Sequence, residues 1–129
     1  KQQNLKEGDI LFIADGRYRI GKTAILNKYN LKCIIQSHID IFSLSEKSPI
    51  QPYEFLYLMN SQIVQEQIRN LVFIQSTLGT LGNRIKEIQI PLPVRNDEWN
   101  KKIHAFQKNI ETRAKILSQL NEIQHSFEL

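Results

Sequence analysis

A single cysteine, Cys33, excludes an internal disulfide, and with only three histidines a Cys/His zinc cluster is not expected. No apolar run approaches about eighteen residues, so nothing reads as a membrane-spanning helix. The opening Lys1-Gln2-Gln3 carries neither an initiator methionine nor the charged-then-apolar pattern of a secretory leader. The expectation is a cytoplasmic protein, or a piece of a longer one, away from membranes. Excess charge is also scarce. Seventeen Lys and Arg face thirteen Asp and Glu, and a net +4 permits a polyanionic partner without requiring one. What remains is ordinary globular material: 129 residues, 41% hydrophobic, 9% aromatic and 23% charged. That suits one domain, or one domain with an appendage, and excludes a disordered or low-complexity chain.

The bases are unevenly placed. From Gly16 to Lys32 there are five (Arg17, Arg19, Lys22, Lys28 and Lys32) and no acid, so this stretch exceeds the net charge of the whole chain. An acid-free run is either a solvated face or a polyanion contact. From Asn96 onward five acids meet five bases, a balanced surface.

Asp9–Ala14 is a short apolar run closed by Asp15-Gly16, and Arg17–Leu26 alternates before running apolar. This predicts two strands joined by a tight turn. Cys33–Ile35 and Ile39–Leu44 read as further strands, with Cys33 a buried structural thiol. Pro52 suits a helix start, and Phe55, Leu56, Leu58, Met59, Ile63, Val64 and Ile68 recur at helical spacing, divisible at Asn60-Ser61. Leu71–Ile74 reads as a strand, Gln75–Asn83 as a loop, and Pro91-Leu92-Pro93 forbids helix. Asp97 then caps a long helix whose Trp99, Ile103, Phe106, Ile110, Leu117, Leu120 and Phe127 form a coiled-coil-like seam, interrupted by Arg113 and Gln124. A lone helix of this kind is poorly stable in water, and no second one of matching length exists here. Its partner is therefore expected from another copy, another subunit or a missing half.

Gly16–Thr23 spells the G-x-x-x-x-G-K-T pattern of a phosphate-binding loop. Its intervening Arg, Tyr, Arg and Ile are bulky for a nest of backbone N–H groups, and no helical stripe follows. A basic β-hairpin is the better reading, with a small nucleotide-dependent enzyme as a distant competitor. Asp9, Asp15 and Asp40 are scattered and form no tight metal-nuclease pair. His38 near Asp40 lacks a placed nucleophile.

Three stretches together carry a resemblance. Lys6–Ile13, Asp15-Gly16 and Ile20–Ile25 are similar to the "GDIL … DG … IGK … AI" hairpin of a target recognition domain. Gln75–Pro93 resembles the small-residue loop, short helix, strand and "IPLP" exit of the same domain, and the long helix is its next element. The family is the specificity subunits of type I restriction-modification systems, whose domains also occur in fused restriction and methyltransferase enzymes. The chain departs from the pattern in starting almost at the "GDIL" strand, in holding one set of elements rather than two, and in showing Asp97–Asn100 where a Glu-Gln pair usually stands. It resembles a half-subunit, a truncated piece or the tail of a fusion.

The resemblance implies an α+β fold: a curved, mostly antiparallel sheet with short helices, then one long C-terminal coiled-coil-like helix. The division expected is 1–95 for recognition and 96–129 for a spacer and dimerisation helix. It implies a non-catalytic module that reads one half of a split target in double-stranded DNA and docks methyltransferase and restriction subunits. No cofactor belongs to the chain itself; S-adenosylmethionine, ATP and magnesium are expected only in the partner subunits. Base reading needs fixed donors and acceptors, and phosphate contacts need cations. The candidates are Arg17, Tyr18, Arg19, Lys22, Lys28, Gln36, Ser37, His38, Gln75, Ser76, Thr77, Thr80 and Arg84. Trp99, Ile103, Phe106, Ile110, Leu117 and Leu120 form the candidate helix interface, with self-association expected through them. The alternative is a helix-mediated interaction module without sequence-specific DNA binding.

Overall fold

The computed structural model describes residues 5–14, 20–31, 39–75 and 82–127, with all of their side chains except those of 73–75, 82, 83 and 125–127. Three strands, β1 (Ile10–Ile13), β2 (Thr23–Ile25) and β3 (Ile39–Phe42), form an antiparallel sheet in the order β2-β1-β3. On the central strand Ile10 and Phe12 are fully buried while Leu11 and Ile13 are half-buried, as the two-residue period of a strand requires. Phe12 meets Phe42 edge-on at 5.7 Å, and Phe42 meets Phe55 in the same way at 5.8 Å, so aromatic contacts run from sheet to helix.

Two helices, α1 (Pro52–Met59) and α2 (Gln62–Gln75), close the core with Leu56, Met59, Val64 and Ile68. Pro52 opens α1 with its φ already set, and the Gln51 N–H donates to Glu54 Oε1 at 2.9 Å. The division at Asn60-Ser61 is observed, with the Val64 N–H donating to Ser61 Oγ at 3.4 Å. α3 (Asp97–Phe127) follows, so the α+β class expected from the sequence is the one observed.

Several local expectations are corrected. Leu71–Ile74 is not a strand but the end of α2: Leu71 and Val72 continue the stripe begun by Val64 and Ile68 and pack on the same core. The first hairpin is closed by the Ile13 N–H donating to the Lys22 carbonyl and the Gly21 N–H to the Ile13 carbonyl, and the turn expected at Asp15-Gly16 lies outside the described residues. Residues 82–87 form a 3-10 helix, and 88–90 form no strand. Asn96, not Asp97, caps α3, accepting the Trp99 N–H at 2.8 Å on Oδ1. The strand expected at Cys33–Ile35 lies outside the described residues.

The seam of α3 is divided. Ile103 is buried, and Trp99, Phe106 and Ile110 pack half-buried on the core of their own chain. The first half of the stripe therefore needs no outside partner, which corrects the expectation that the whole of it waits for one. Full burial is worth about 1.5–3 kcal/mol per large apolar side chain; Ile103 gains this and the three half-buried residues a part of it, which favours the helix there. Leu117 and Leu120 stay 51% and 53% exposed.

Candidate nucleic-acid interface

The register brings the flanks of two of the candidate segments to one end of the sheet. β1 ends at Ile13, β2 begins just after Lys22, and β3 begins at Ile39 opposite Ile13. The flanks of 15–19 and the residue following 32–38 therefore meet at that end. Gly21 lies there too, at φ +90, with its carbonyl accepting from Gln65 Nε2 at 3.2 Å. The same carboxamide reaches the Met59 carbonyl at 2.8 Å, fixing the strand start to α2.

This geometry disposes of the phosphate-loop pattern. Thr23 opens a strand rather than a helix, and its Oγ1 accepts from Asn60 Nδ2 at 2.8 Å. Gly21 is required for its positive φ and its approach to Ile68, which a backbone packed on a helix explains without a phosphate. Asp9, 1% exposed, is likewise structural. Ser43 Oγ donates to its Oδ1 at 2.7 Å and the Lys6 N–H to its Oδ2 at 3.1 Å. No group of three or more His, Cys, Asp or Glu suited to a metal occurs among the described residues.

Of the candidate DNA contacts, three have described side chains. Lys22 is exposed at the sheet end where Ile13 and Ile39 pair. Lys28 is exposed beyond the other end of β2, its ammonium 5.2 Å from the centre of the Tyr29 ring. The acid-free stretch is thus not one patch: β2 runs through it and puts these two lysines past its opposite ends. Arg84, in the 3-10 helix, is paired with Glu87, Nε to Oε2 at 2.9 Å. The Glu87 hydrogen bond raises the Arg84 pKa, and the Arg84 hydrogen bond lowers that of Glu87. Arg84 therefore keeps its charge but is engaged by a carboxylate of its own helix. Arg17, Tyr18, Arg19, Gln36, Ser37, His38, Ser76, Thr77 and Thr80, with Cys33, lie outside the described residues; Gln75 ends α2, its side chain outside them.

Sequence reasoning missed one buried polar cluster. Glu54 is 3% exposed, and Arg95 donates to it through Nη1 to Oε2 at 2.6 Å and through Nη2 to Oε1 at 3.1 Å. Trp99 Nε1 donates to Oε2 at 2.8 Å, and Arg95 Nη2 also reaches the Pro49 carbonyl. Burial alone would raise the Glu54 pKa, but the hydrogen bonds from Arg95, Trp99 and the Gln51 N–H outweigh it and hold it below the ordinary value. The helix-start box of Gln51 and Glu54 was a readable signal; Arg95 carried none. Between β2 and α3 lies an open groove of about 560 Å³, lined by Ala24, Leu56, Asn60, Ile110, Arg113 and Leu117 among others.

A family model described as the type I restriction modification DNA specificity domain matches residues 1–125, and the chain belongs to that family. No curated protein and no solved structure matches it. The chain is thus a DNA-binding specificity module of a restriction-modification system. Among the described residues no helix is long and apolar enough to cross a membrane.

Proposed function

We propose that this chain reads one half of a split DNA target from the sheet end where Ile13, Lys22 and Ile39 meet, and docks methyltransferase subunits through the outer half of α3. The observation that carries the reading is the convergence at that end, within a specificity domain, of the flanks of 15–19 and 32–38. Those two segments hold Arg17, Tyr18, Arg19, Gln36, Ser37 and His38, donors and acceptors suited to base edges in a major groove. Lys22 supplies a phosphate contact that sets register without reading sequence. The 75–84 segment is a further reading loop, with Gln75, Ser76, Thr77 and Thr80 as its polar groups and Arg84 as its weaker cation. Cleavage and methyl transfer belong to the partner subunits, which bring S-adenosylmethionine, ATP and magnesium.

The exposed Ile116, Leu117 and Leu120 favour a second role for α3, pairing with a helix of a partner subunit or of a second copy. Selection of bound duplexes from a random pool, at low and near-physiological salt, tests the main reading. An enriched short motif supports it. Uniform binding at both salts leaves the helix-mediated interaction module as the better account.

A further inference from the structure

The first half of α3 packs on the core of its own chain while Ile116, Leu117 and Leu120 farther along are about half exposed, so whatever fixes the first half aims the rest. We propose that Glu54, Arg95 and Trp99 form the joint that sets the angle between the sheet-and-helix body and the α3 arm, with Glu54 and Arg95 as positioning residues for recognition. Two kinds of contact hold the arm. Tyr57 of α1 lies edge-on against Trp99 at 5.5 Å and against Phe106 at 5.3 Å. Such pairs favour an edge-on arrangement only weakly, by about 0.5–1.5 kcal/mol each, and the apolar burial that accompanies them is non-directional. The carboxylate contacts are directional. Glu54 is fixed in the first turn of α1 by the Gln51 N–H; its oxygens take the fork of Arg95, just before α3, and the indole N–H of Trp99, in the first turn of α3. A third bond of Arg95, to the Pro49 carbonyl, ties in the segment leading to α1. The chain before α1, α1 itself, the exit segment and the start of α3 all meet on one side chain that is 4% exposed.

The leverage gives the joint its consequence. From residue 111 to Phe127 the arm extends about 25 Å at ~1.5 Å per residue. A tilt of about 10° at its root moves its tip by about 4 Å, against the ~3.4 Å rise of one base pair. A loose joint would therefore blur the registry between the body and whatever the arm docks by a whole base-pair step. This consequence rests on the DNA-specificity reading; the joint itself does not, and its test contains no DNA.

The test is a distance distribution between spin labels at Arg69→Cys on α2 and Asn121→Cys on α3, both exposed, in a Cys33→Ala background of the full chain. The parent should give one narrow distance. Arg95→Ala and Glu54→Gln should broaden or shift it by about 3 Å, the displacement that a tilt of about 10° gives roughly 15 Å along the arm, well below the melting temperature. Val64→Ala removes buried core remote from the joint and should lower melting while leaving the distance narrow. If all of these variants keep the parent distribution, or Val64→Ala broadens it equally, the joint is overturned. Should Glu54→Gln fail to fold, Arg95→Ala decides alone, because its side chain is 48% exposed and its loss leaves the core intact.

Discussion

A Cβ placed on Gly21 would lie 3.1 Å from Cγ2 of Ile68, on a residue already at φ +90. The glycine that makes the sequence look like a phosphate loop is therefore the point where the first hairpin lies on α2. Gly21→Ala should destabilise the domain by about 1–3 kcal/mol, combining the left-handed backbone cost with a tight contact. Urea denaturation measures it. Lys22→Ala, exposed, should leave stability unchanged, and neither the parent nor that variant should bind ATP detectably in calorimetry; ATP binding lost with Lys22 would restore the phosphate-loop reading.

Ser43 and Asp9 make a second such pair, joining the segment after β3 to the one before β1. Ser43→Ala withdraws one of two donors from a buried carboxylate and should cost about 1–3 kcal/mol. The chemical-denaturation midpoint should fall with an unchanged slope, since only the native state loses the bond.

Glu54 makes stability depend on pH. Its folded pKa lies below the ordinary 4.5, so its contribution is complete above that value and is lost as pH falls through the folded value. Denaturation midpoints followed from pH 7 down to about pH 3 should drop in the acid range, and Glu54→Gln should flatten part of that drop. At pH 7 Arg95→Ala should cost about 1–3 kcal/mol, since it leaves the carboxylate with only Trp99 and the Gln51 N–H as partners.

For DNA, the three described cations should rank by position and pairing. Lys22→Ala should weaken duplex binding uniformly across sequences and reduce the salt slope by about one. Lys28→Ala, beyond the other end of β2, and Arg84→Ala, already engaged by Glu87, should each change it less. The measurement is log K against log salt on one duplex. Equal slopes for the parent and Lys22→Ala would remove that lysine from the interface.

The two halves of α3 should respond differently to charge. Ile110→Asp should lower melting, because Ile110 packs on the core, whereas Leu117→Asp and Leu120→Asp should leave melting alone and abolish association with methyltransferase subunits. Thermal melts and light scattering of the mixed subunits separate these effects.

Much of the fold was legible because its signals are local. A short apolar run marked β1, Pro52 marked α1, and the three-four spacing from Trp99 marked α3. The misreadings arose where tertiary contacts decide. Leu71–Ile74 is β-branched and aromatic enough for a strand, yet Ile68 against Gly21 carries the helix through it. The Trp99–Ile110 stripe looked partnerless because its partner is an aromatic residue, Tyr57, on a helix far shorter than its own. Lys22 and Lys28 looked like one patch because sequence distance conceals that a strand runs between them. Arg95 was invisible, since nothing local couples it to a glutamate forty-one positions earlier.

The exit segment from the 3-10 helix is held in an unusual way. The Gln67 carboxamide donates Nε2 to the Gln89 carbonyl at 2.8 Å and accepts the Gln89 N–H on Oε1 at 2.7 Å, standing in for the peptide group of a neighbouring strand. Only backbone atoms of residue 89 are engaged. Position 89 is therefore open to residues that keep the N–H, which excludes proline, whereas Ile88 and Ile90 on either side of it pack on the core. A chimera that joins a foreign recognition segment to this exit and arm needs a glutamine on its second helix to grip the junction, and a glutamate and a tyrosine on its first to receive Arg95, Trp99 and Phe106.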